Sequence, residues 1–319
     1  MDAHVVVLGS ANLDMTLSVE RVPAAGETVL TPSAPVRAAG GKGLNQAVAA
    51  ARTGTVPVTF VGAVGDDGDG RYLAERLTAA GVHPMLRVDP SRATGLALVL
   101  LERDGENRIV VASGANLALD DITAVEAREL GAADVVLMPA ETPVTGLVES
   151  ARAARAGGAL VVLNAAPVPA RIVDLVPFVD VLVVNETEAL AVLDLLRHDE
   201  QPPPGGSGIA AEPPLAAVAA DLTRWFGVVV VTLGGRGVTW ARAGEPARYT
   251  PALEVPVADT TGAGDTFCGC LAAALAAGAD TSGAIARGVA AAALAVQRLG
   301  ASSSVPRRAE VDALLAAHR

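Results

Sequence analysis

The sequence predicts an α/β fold: a mostly parallel central sheet covered by helices on both faces, with a second, small β-sheet set apart from it. Two observations carry this. Short Val/Leu runs recur at Val5–Leu8, Val58–Val61, Val135–Leu137, Leu160–Leu163, Val181–Val184 and Val228–Leu233, each followed by polar or glycine residues and then a helical pattern. Continuous apolar strands that alternate with helices belong to a parallel sheet buried on both faces. The alternation breaks in residues 13–38 and 93–112, where Met15–Val19, Thr28–Leu30, Leu96–Leu101 and Arg108–Val111 read as strands with no helix between them. These pieces are expected to pair as a small antiparallel sheet, a lid whose closure would exclude water from a site.

In chain order, the first strand opens the molecule. Residues 1–9 carry an early acid and only a four-residue apolar run, unlike the basic start and long apolar core of a signal peptide. Residues 40–47 open an amphipathic, alanine-rich helix. Residues 198–215 are rich in Pro and Gly and read as a mobile surface loop. The apolar stretch 269–299 is interrupted by Asp280, Arg287 and Arg298, which predicts a buried helix pair and no membrane span. The whole chain, 1–319, reads as one large α/β unit with its lid.

Composition narrows the function. The net charge of −11 argues against a nucleic-acid partner, which needs a basic surface, but leaves room for an anionic nucleotide held by local amides and cations. Only Cys268 and Cys270 are present, spaced i,i+2, so neither a disulfide framework nor a cysteine metal site is expected, and the reducing cytoplasm fits. His4, His83, His198 and His318 are scattered without ligand spacing. Open edges on the lid sheet suit edge-to-edge pairing in a homodimer.

Ligands of parallel α/β sheets sit beyond the carboxyl ends of the strands. The residues found there are polar: Asn12 and Asp14, Gly62 and Asp66, Glu141, Asn164, Asn185 with Glu188, and Thr232 with Gly234. The most informative segment is Asp259-Thr-Thr-Gly-Ala-Gly-Asp265. Gly262 and Gly264 let successive amides converge at the start of a helix, where unpaired N–H groups and the helix dipole favour an anion. Asp265 then has two readings, a helix cap or a base aimed at the group being activated. The second glycine motif, Gly40-Gly41-Lys42-Gly43-Leu44-Asn45-Gln46-Ala47, lacks the spacing of a Walker loop. It suits close approach of backbone to a small polyhydroxylated ligand, with Lys42 and Asn45 bonding hydroxyls. The Gly-x-Gly-x-x-Gly fingerprint of a dinucleotide-binding dehydrogenase is missing after the first strand, which ends Gly9-Ser-Ala-Asn-Leu-Asp14.

Together Asn12-Leu-Asp14, the 40–47 motif, Asn185-Glu-Thr-Glu188, Thr232-Leu-Gly-Gly-Arg-Gly237 and Asp259–Asp265 resemble, in order, the motifs of the ribokinase-like (PfkB-type) sugar kinases. The resemblance runs from about Val5 to Pro306. It implies a three-layer ribokinase-like fold and ATP-dependent phosphorylation of D-ribose at its 5-hydroxyl. By the same resemblance Asp265 is the base, and Gly262, Ala263 and Gly264 form the anion hole. Asn12, Asp14, Gly40, Gly41, Lys42, Asn45 and Glu141 fall at sugar-contact positions. Asn185, Thr232, Gly234, Gly235, Gly237 and Gly264 fall on the nucleotide, with Val289 beside the adenine. Asn185 and Glu188 organise Mg²⁺, and Asp259, Thr261, Ala295, Arg298, Gly300 and Ser304 surround a K⁺ ion, Arg298 through its carbonyl with its guanidinium turned away.

Two departures from the family pattern stand out. Cys268 replaces a frequent Asn, removing a hydrogen bond near the base, and Pro139 enters the strand end before Glu141. Among other acceptors, sugar phosphates call for more local cations than Lys42, and nucleosides for more stacking partners than eight aromatics supply (2 Trp, 2 Tyr and 4 Phe). A non-catalytic sugar or nucleotide sensor would be expected to lose Asp265 or the glycines around it.

Overall fold

The computed structural model describes residues 3–31, 33–103, 107–199 and 214–318. The first strand, β1 (Val5–Leu8), lies inside the main sheet between β4 (Val58–Gly65) and β8 (Val135–Pro139), parallel to both. Next to β8 follow β9 (Leu160–Asn164), β10 (Val181–Asn185) and β11 (Val228–Thr232), also parallel. The predicted apolar runs fall in these strands, except that Leu233 lies one residue past the end of β11. The sheet gains β5 (His83–Asp89) at one edge and the antiparallel pair β12 (Gly237–Arg242) and β13 (Arg248–Pro251) at the other.

These three strands carry no continuous apolar run. Edge strands are half solvated and tolerate interruptions, and Pro84 sits within β5 because one side of that strand has no partner to supply.

Alternate residues of the strands serve opposite faces. Val5 and Val7 pack with α1 (Lys42–Thr53), α2 (Gly68–Ala79), α7 (Ala263–Ala276) and α8 (Thr281–Ala295), while Val6 and Leu8 pack with α3 (Ala124–Ala132), α4 (Val144–Gly157), α5 (Glu186–Asp199) and α6 (Leu215–Leu222). This is the three-layer arrangement with helices on both faces. The helix pair predicted over 269–299 is α7 and α8, and α9 (Arg308–Ala317) packs on α8 through Val311.

The small sheet has the order β3 (Val36–Gly40), β2 (Asn12–Val19), β6 (Gly95–Glu102), β7 (Asn107–Ala112). It is mixed and not purely antiparallel as expected, because β2 and β6 pair in parallel. Both strands rise from the same end of the main sheet, β2 after β1 and β6 after β5, so they run the same way. Thr28–Leu30 is not a strand. It lies between β2 and β3 in the connection that lets the chain reverse.

The segment expected to be a mobile loop, 198–215, falls largely outside the described residues. Its described ends are shorter than expected, since α5 runs to Asp199 and α6 begins at Leu215.

Candidate active site

The carboxyl ends of the parallel strands, the start of α1 and the start of α7 meet in one polar cleft. Asp265 lies at its floor, buried in the first turn of α7. The capping reading fails here: the helix begins at Ala263, its N-cap is Gly262, and no side chain caps it. Instead the Asp265 carboxylate accepts from Asn45 Nδ2 at 3.0 Å and from Gln46 Nε2 at 2.9 Å. Burial raises the Asp265 pKa above the ordinary carboxylate value, opposed by Lys42 and by these two amides. Both amides must present N–H to a carboxylate, which leaves Asn45 Oδ1 and Gln46 Oε1 buried without a protein partner.

Gln46 escaped the sequence reading as a site residue. Its Nε2 is shared with Asn164 Oδ1 at 2.9 Å, and Asn164 donates to the Val183 carbonyl, so a chain of amides runs from β10 to the candidate base. The signal was present as an amide within the 40–47 motif and a polar residue at the end of β9.

Gly262 adopts φ 73°, and a Cβ there would lie 2.7 Å from the Ala301 Cα, so only glycine fits this turn. Ala263 N–H is engaged by the Thr260 carbonyl at 3.2 Å. Among the described residues, Gly264 and Asp265 N–H have no acceptor in the protein.

The other predicted sugar-side residues line the same cleft. Asp14, in β2, lies against Gly40, where a Cβ would reach 2.0 Å from its carboxylate. Burial first, then Glu141 and Asp265, push the Asp14 pKa up to about 6. Glu141 accepts from Lys42 N–H at 3.0 Å and from the Ser10 hydroxyl, which ties the end of β8 to the start of α1. Ser10 was not singled out in the sequence. Gly41 is the N-cap of α1. Asn12 Oδ1 accepts from Asn116 Nδ2 at 2.7 Å, and Asn116 Oδ1 accepts from Ala11 N–H at 2.9 Å. Asn116 therefore orients Asn12 and leaves its amide N–H₂ for a ligand; no pattern around Asn116 announced this.

Lys42 is the only lysine of the chain. Burial works against its ammonium, but Asp265, Glu141 and Glu188 outweigh burial and hold its pKa above the usual value. The three acids thus surround one compact cation.

Next to this cleft is an apolar pocket of about 530 Å³. Thr232, Gly234, Gly235 and Gly237 line one wall, Val289 and Phe267 another, and Ala263 and Gly264 stand where it meets the cleft. Asn185 pairs with Thr232 in the sheet register. Asn185 and Glu188 form a reciprocal cap on α5: Asn185 N–H donates to Glu188 Oε2 at 2.8 Å and Glu188 N–H to Asn185 Oδ1 at 2.9 Å.

Behind the glycine turn, Asp259 accepts from Thr261 N–H at 2.9 Å and Gly300 N–H at 2.8 Å. Burial opposes its charge, yet these bonds hold its pKa below the ordinary value. Arg298 pairs with Glu310 of α9, so that among the described residues no side-chain cation pairs with Asp259, while the Arg298 backbone N–H bonds the Ala295 carbonyl at 3.0 Å. Ser304 is fully buried and its hydroxyl donates to the Ala301 carbonyl at 2.8 Å.

Cys268 and Cys270 are free and buried, in α7. Burial, then the Asp265 charge, raise the Cys268 thiol, so it stays neutral beside the carboxylate. Pro139 packs its ring against Gly9, where a Cβ would lie 2.9 Å from the Pro139 Cγ; the proline is accommodated without moving Glu141 from Lys42.

A polar cleft with a buried carboxylate, joined through open helix-start amides to an apolar pocket, is the layout of an enzyme that moves a phosphoryl group between two bound molecules. Comparison with known proteins agrees with that class. The chain belongs to the pfkB family of carbohydrate kinases, whose profile matches residues 2–308. It is 36% identical over 312 residues to the ribokinase of Haemophilus influenzae, covering 97% of each chain. The Bacillus subtilis ribokinase is 35% identical over 318 residues, 98% of this chain and 99% of its own. Among solved structures, Thermotoga maritima ribokinase superposes with a TM-score of 0.86 at 31% identity, over 99% of this chain and 100% of that one. Arabidopsis thaliana ribokinase, complexed with ribose and ATP, gives 0.86 at 32% identity over 99% of both.

Proposed function

We propose that this chain is an ATP-dependent kinase that phosphorylates D-ribose at its 5-hydroxyl, giving D-ribose 5-phosphate and ADP. One observation carries the reading most: the buried Asp265 carboxylate is fixed by two amides where the polar cleft meets the pocket. The full-length likeness to ribokinases, one of them complexed with ribose and ATP, supports the choice of substrates.

In this reading ribose lies in the cleft. Asp14 and Glu141 accept its hydroxyl protons, while Asn12 Nδ2 and the Lys42 ammonium donate, with Asn45 beside them on Asp265. The adenine enters the pocket beside Val289, and the phosphates run past Thr232 to Gly237 toward Gly264. Asp265 takes the 5-hydroxyl proton as the sugar oxygen bonds the γ-phosphorus and the bond from that phosphorus to the β-bridging oxygen breaks. Gly262 shapes the turn, and the Gly264 and Asp265 amides, with Ala263 beside them, receive the developing charge. A raised pKa suits a base that must take an alcohol proton late in the transfer.

Mg²⁺ would neutralise the nucleotide phosphates. Glu188 fits it, since its cap bond uses Oε2 and leaves Oε1 for a metal-bound water. K⁺ fits the loop of Asp259, Thr261, Ala295, Arg298, Gly300 and Ser304, where Asp259 is charged, has no side-chain cation partner among the described residues and accepts from Gly300 N–H. The ion would steady the turn that carries the open amides.

The small sheet would act as the lid. Its apolar residues Val36, Ile109, Val110 and Val111 are all more than half exposed, which supports burial against a second copy in a homodimer. No helix among the described residues is long and apolar enough to cross a membrane. We place the enzyme in the cytoplasm, where ATP and free thiols coexist. A coupled ADP-release assay over D-ribose, other pentoses and nucleosides tests the assignment. The expected result is the highest kcat/KM with D-ribose; a better rate with another acceptor would displace ribose.

A further inference from the structure

On the far side of the loop that carries Gly300 and Ala301 lies a second cavity, of about 620 Å³. Its walls come from the end of α1, the end of α2, the 298–305 loop and the start of α9. Four of the lining side chains are arginines, Arg52, Arg298, Arg307 and Arg308, against one acid, Glu310. Glu310 is already committed to Arg298 and to the Arg307 N–H. Among the described residues no ion pair compensates Arg52, Arg307 or Arg308. For a protein of net charge −11 this concentration of unpaired guanidinium groups is out of character.

The groups repel one another. Burial, then Arg76 and Arg307, lower the Arg52 pKa from its usual value. Folding keeps them together nonetheless, because Arg52 Nη1 donates to the Ser302 carbonyl at 2.8 Å and so clamps the loop. An anion would relieve this repulsion. Planar guanidinium forks match the oxygens of phosphate, and the ten-residue α9 begins at the cavity with Arg308, Ala309 and Glu310 among its lining residues.

We infer that the cavity between α1, α2 and α9 is a phosphate-binding site, read by Arg52, Arg307 and Arg308, whose occupancy braces the 298–305 loop. The chemistry it selects is a phosphate dianion, free or carried as a phosphomonoester; the volume exceeds what inorganic phosphate fills. The link to the candidate active site is short. Gly300 N–H donates to Asp259 at 2.8 Å, and Ala301 packs on Gly262, both within the loop that Arg52 holds.

The test needs neither ribose nor turnover, so its failure leaves the kinase assignment untouched. Inorganic phosphate and, separately, glycerol 3-phosphate are titrated calorimetrically into the wild type and the double variant Arg307→Ala/Arg308→Ala, with ionic strength matched by chloride. Both side chains are exposed, so the variant should fold, which its circular dichroism checks. The expected result is saturable binding that weakens at least tenfold in the variant; tighter binding of glycerol 3-phosphate identifies a phosphomonoester, and tighter inorganic phosphate the free ion. Equal affinity in both proteins, or no saturable binding, would overturn the site. Hydrogen exchange at the Gly300 amide reads the bracing: slowing on phosphate addition supports it, and unchanged exchange overturns it.

Discussion

Gly269 of α7 lies so close to Gln46 of α1 that a Cβ on the glycine would come within 2.3 Å of the Gln46 carbonyl oxygen. This contact sets how near the two helices pass, and so whether Asn45 and Gln46 reach Asp265. Gly269→Ala should force the helices apart and cost about 1–3 kcal/mol, the usual scale of overpacking. Denaturant melts would measure the loss, and kcat should fall with little change in nucleotide affinity, since the pocket lies on the other side of α7.

Asp265→Asn keeps the shape of the side chain and removes the base. Turnover should fall roughly 10²–10⁴-fold, the common size of a general-base contribution. Nucleotide binding measured by calorimetry should survive. Near-normal turnover would remove Asp265 from the role.

Gln46→Leu takes one donor from Asp265 and one from Asn164, leaving buried acceptors short at a cost of about 1–3 kcal/mol. Because the lost bond favours the ionised carboxylate, the Asp265 pKa should rise further. The acid limb of the kcat profile therefore moves to higher pH, a displacement that simple loss of stability would not produce.

The Asp14 carboxyl titrates near 6 when folded against an ordinary value of 3.8. Between those values the native state holds a proton that the unfolded chain has released, so stability falls as pH rises through the window. Above it the cost is on the order of 3 kcal/mol. Asp14→Asn should therefore stabilise the protein at pH 7 while weakening ribose binding. In the wild type, KM for ribose should climb as pH drops below about 6, where the acceptor is protonated. Titration melts and pH-dependent KM of both proteins would decide it.

Asp259→Ala removes the charge proposed to hold a monovalent cation. KCl should stimulate the wild type more than NaCl does, and the variant should respond equally to both. Indistinguishable rates of the wild type in K⁺, Na⁺ and a large organic cation would leave Asp259 a purely structural residue.

The central sheet was legible because buried parallel strands must be apolar without interruption, as β1, β10 and β11 are. The edge strands β5 and β13 were not, since a half-solvated strand can hold His, Pro and Arg without cost. Candidate residues that announce themselves by local spacing, such as Gly262 to Asp265 and Gly40 to Asn45, could be singled out from the sequence. Asn116 and Ser10 act across more than 100 residues of chain on Asn12 and Glu141, and nothing in their own neighbourhood records the partner. The parallel pairing of β2 with β6 was hidden for the same reason: a strand's direction is set by where it leaves the main sheet.

Every other basic side chain outside the histidines is an arginine, so the candidate sugar cleft holds the chain's sole side-chain primary amine at Lys42. That gives the protein a built-in point of chemical address. An acylating reagent directed at amines can modify only Lys42 and the chain terminus, so a single mass increment on the 42-containing peptide, and its suppression by a bound sugar, would report occupancy of the cleft without any engineered label. The same three acids that keep the ammonium protonated also slow such a reagent, and the pH at which labelling begins would read out the field they create.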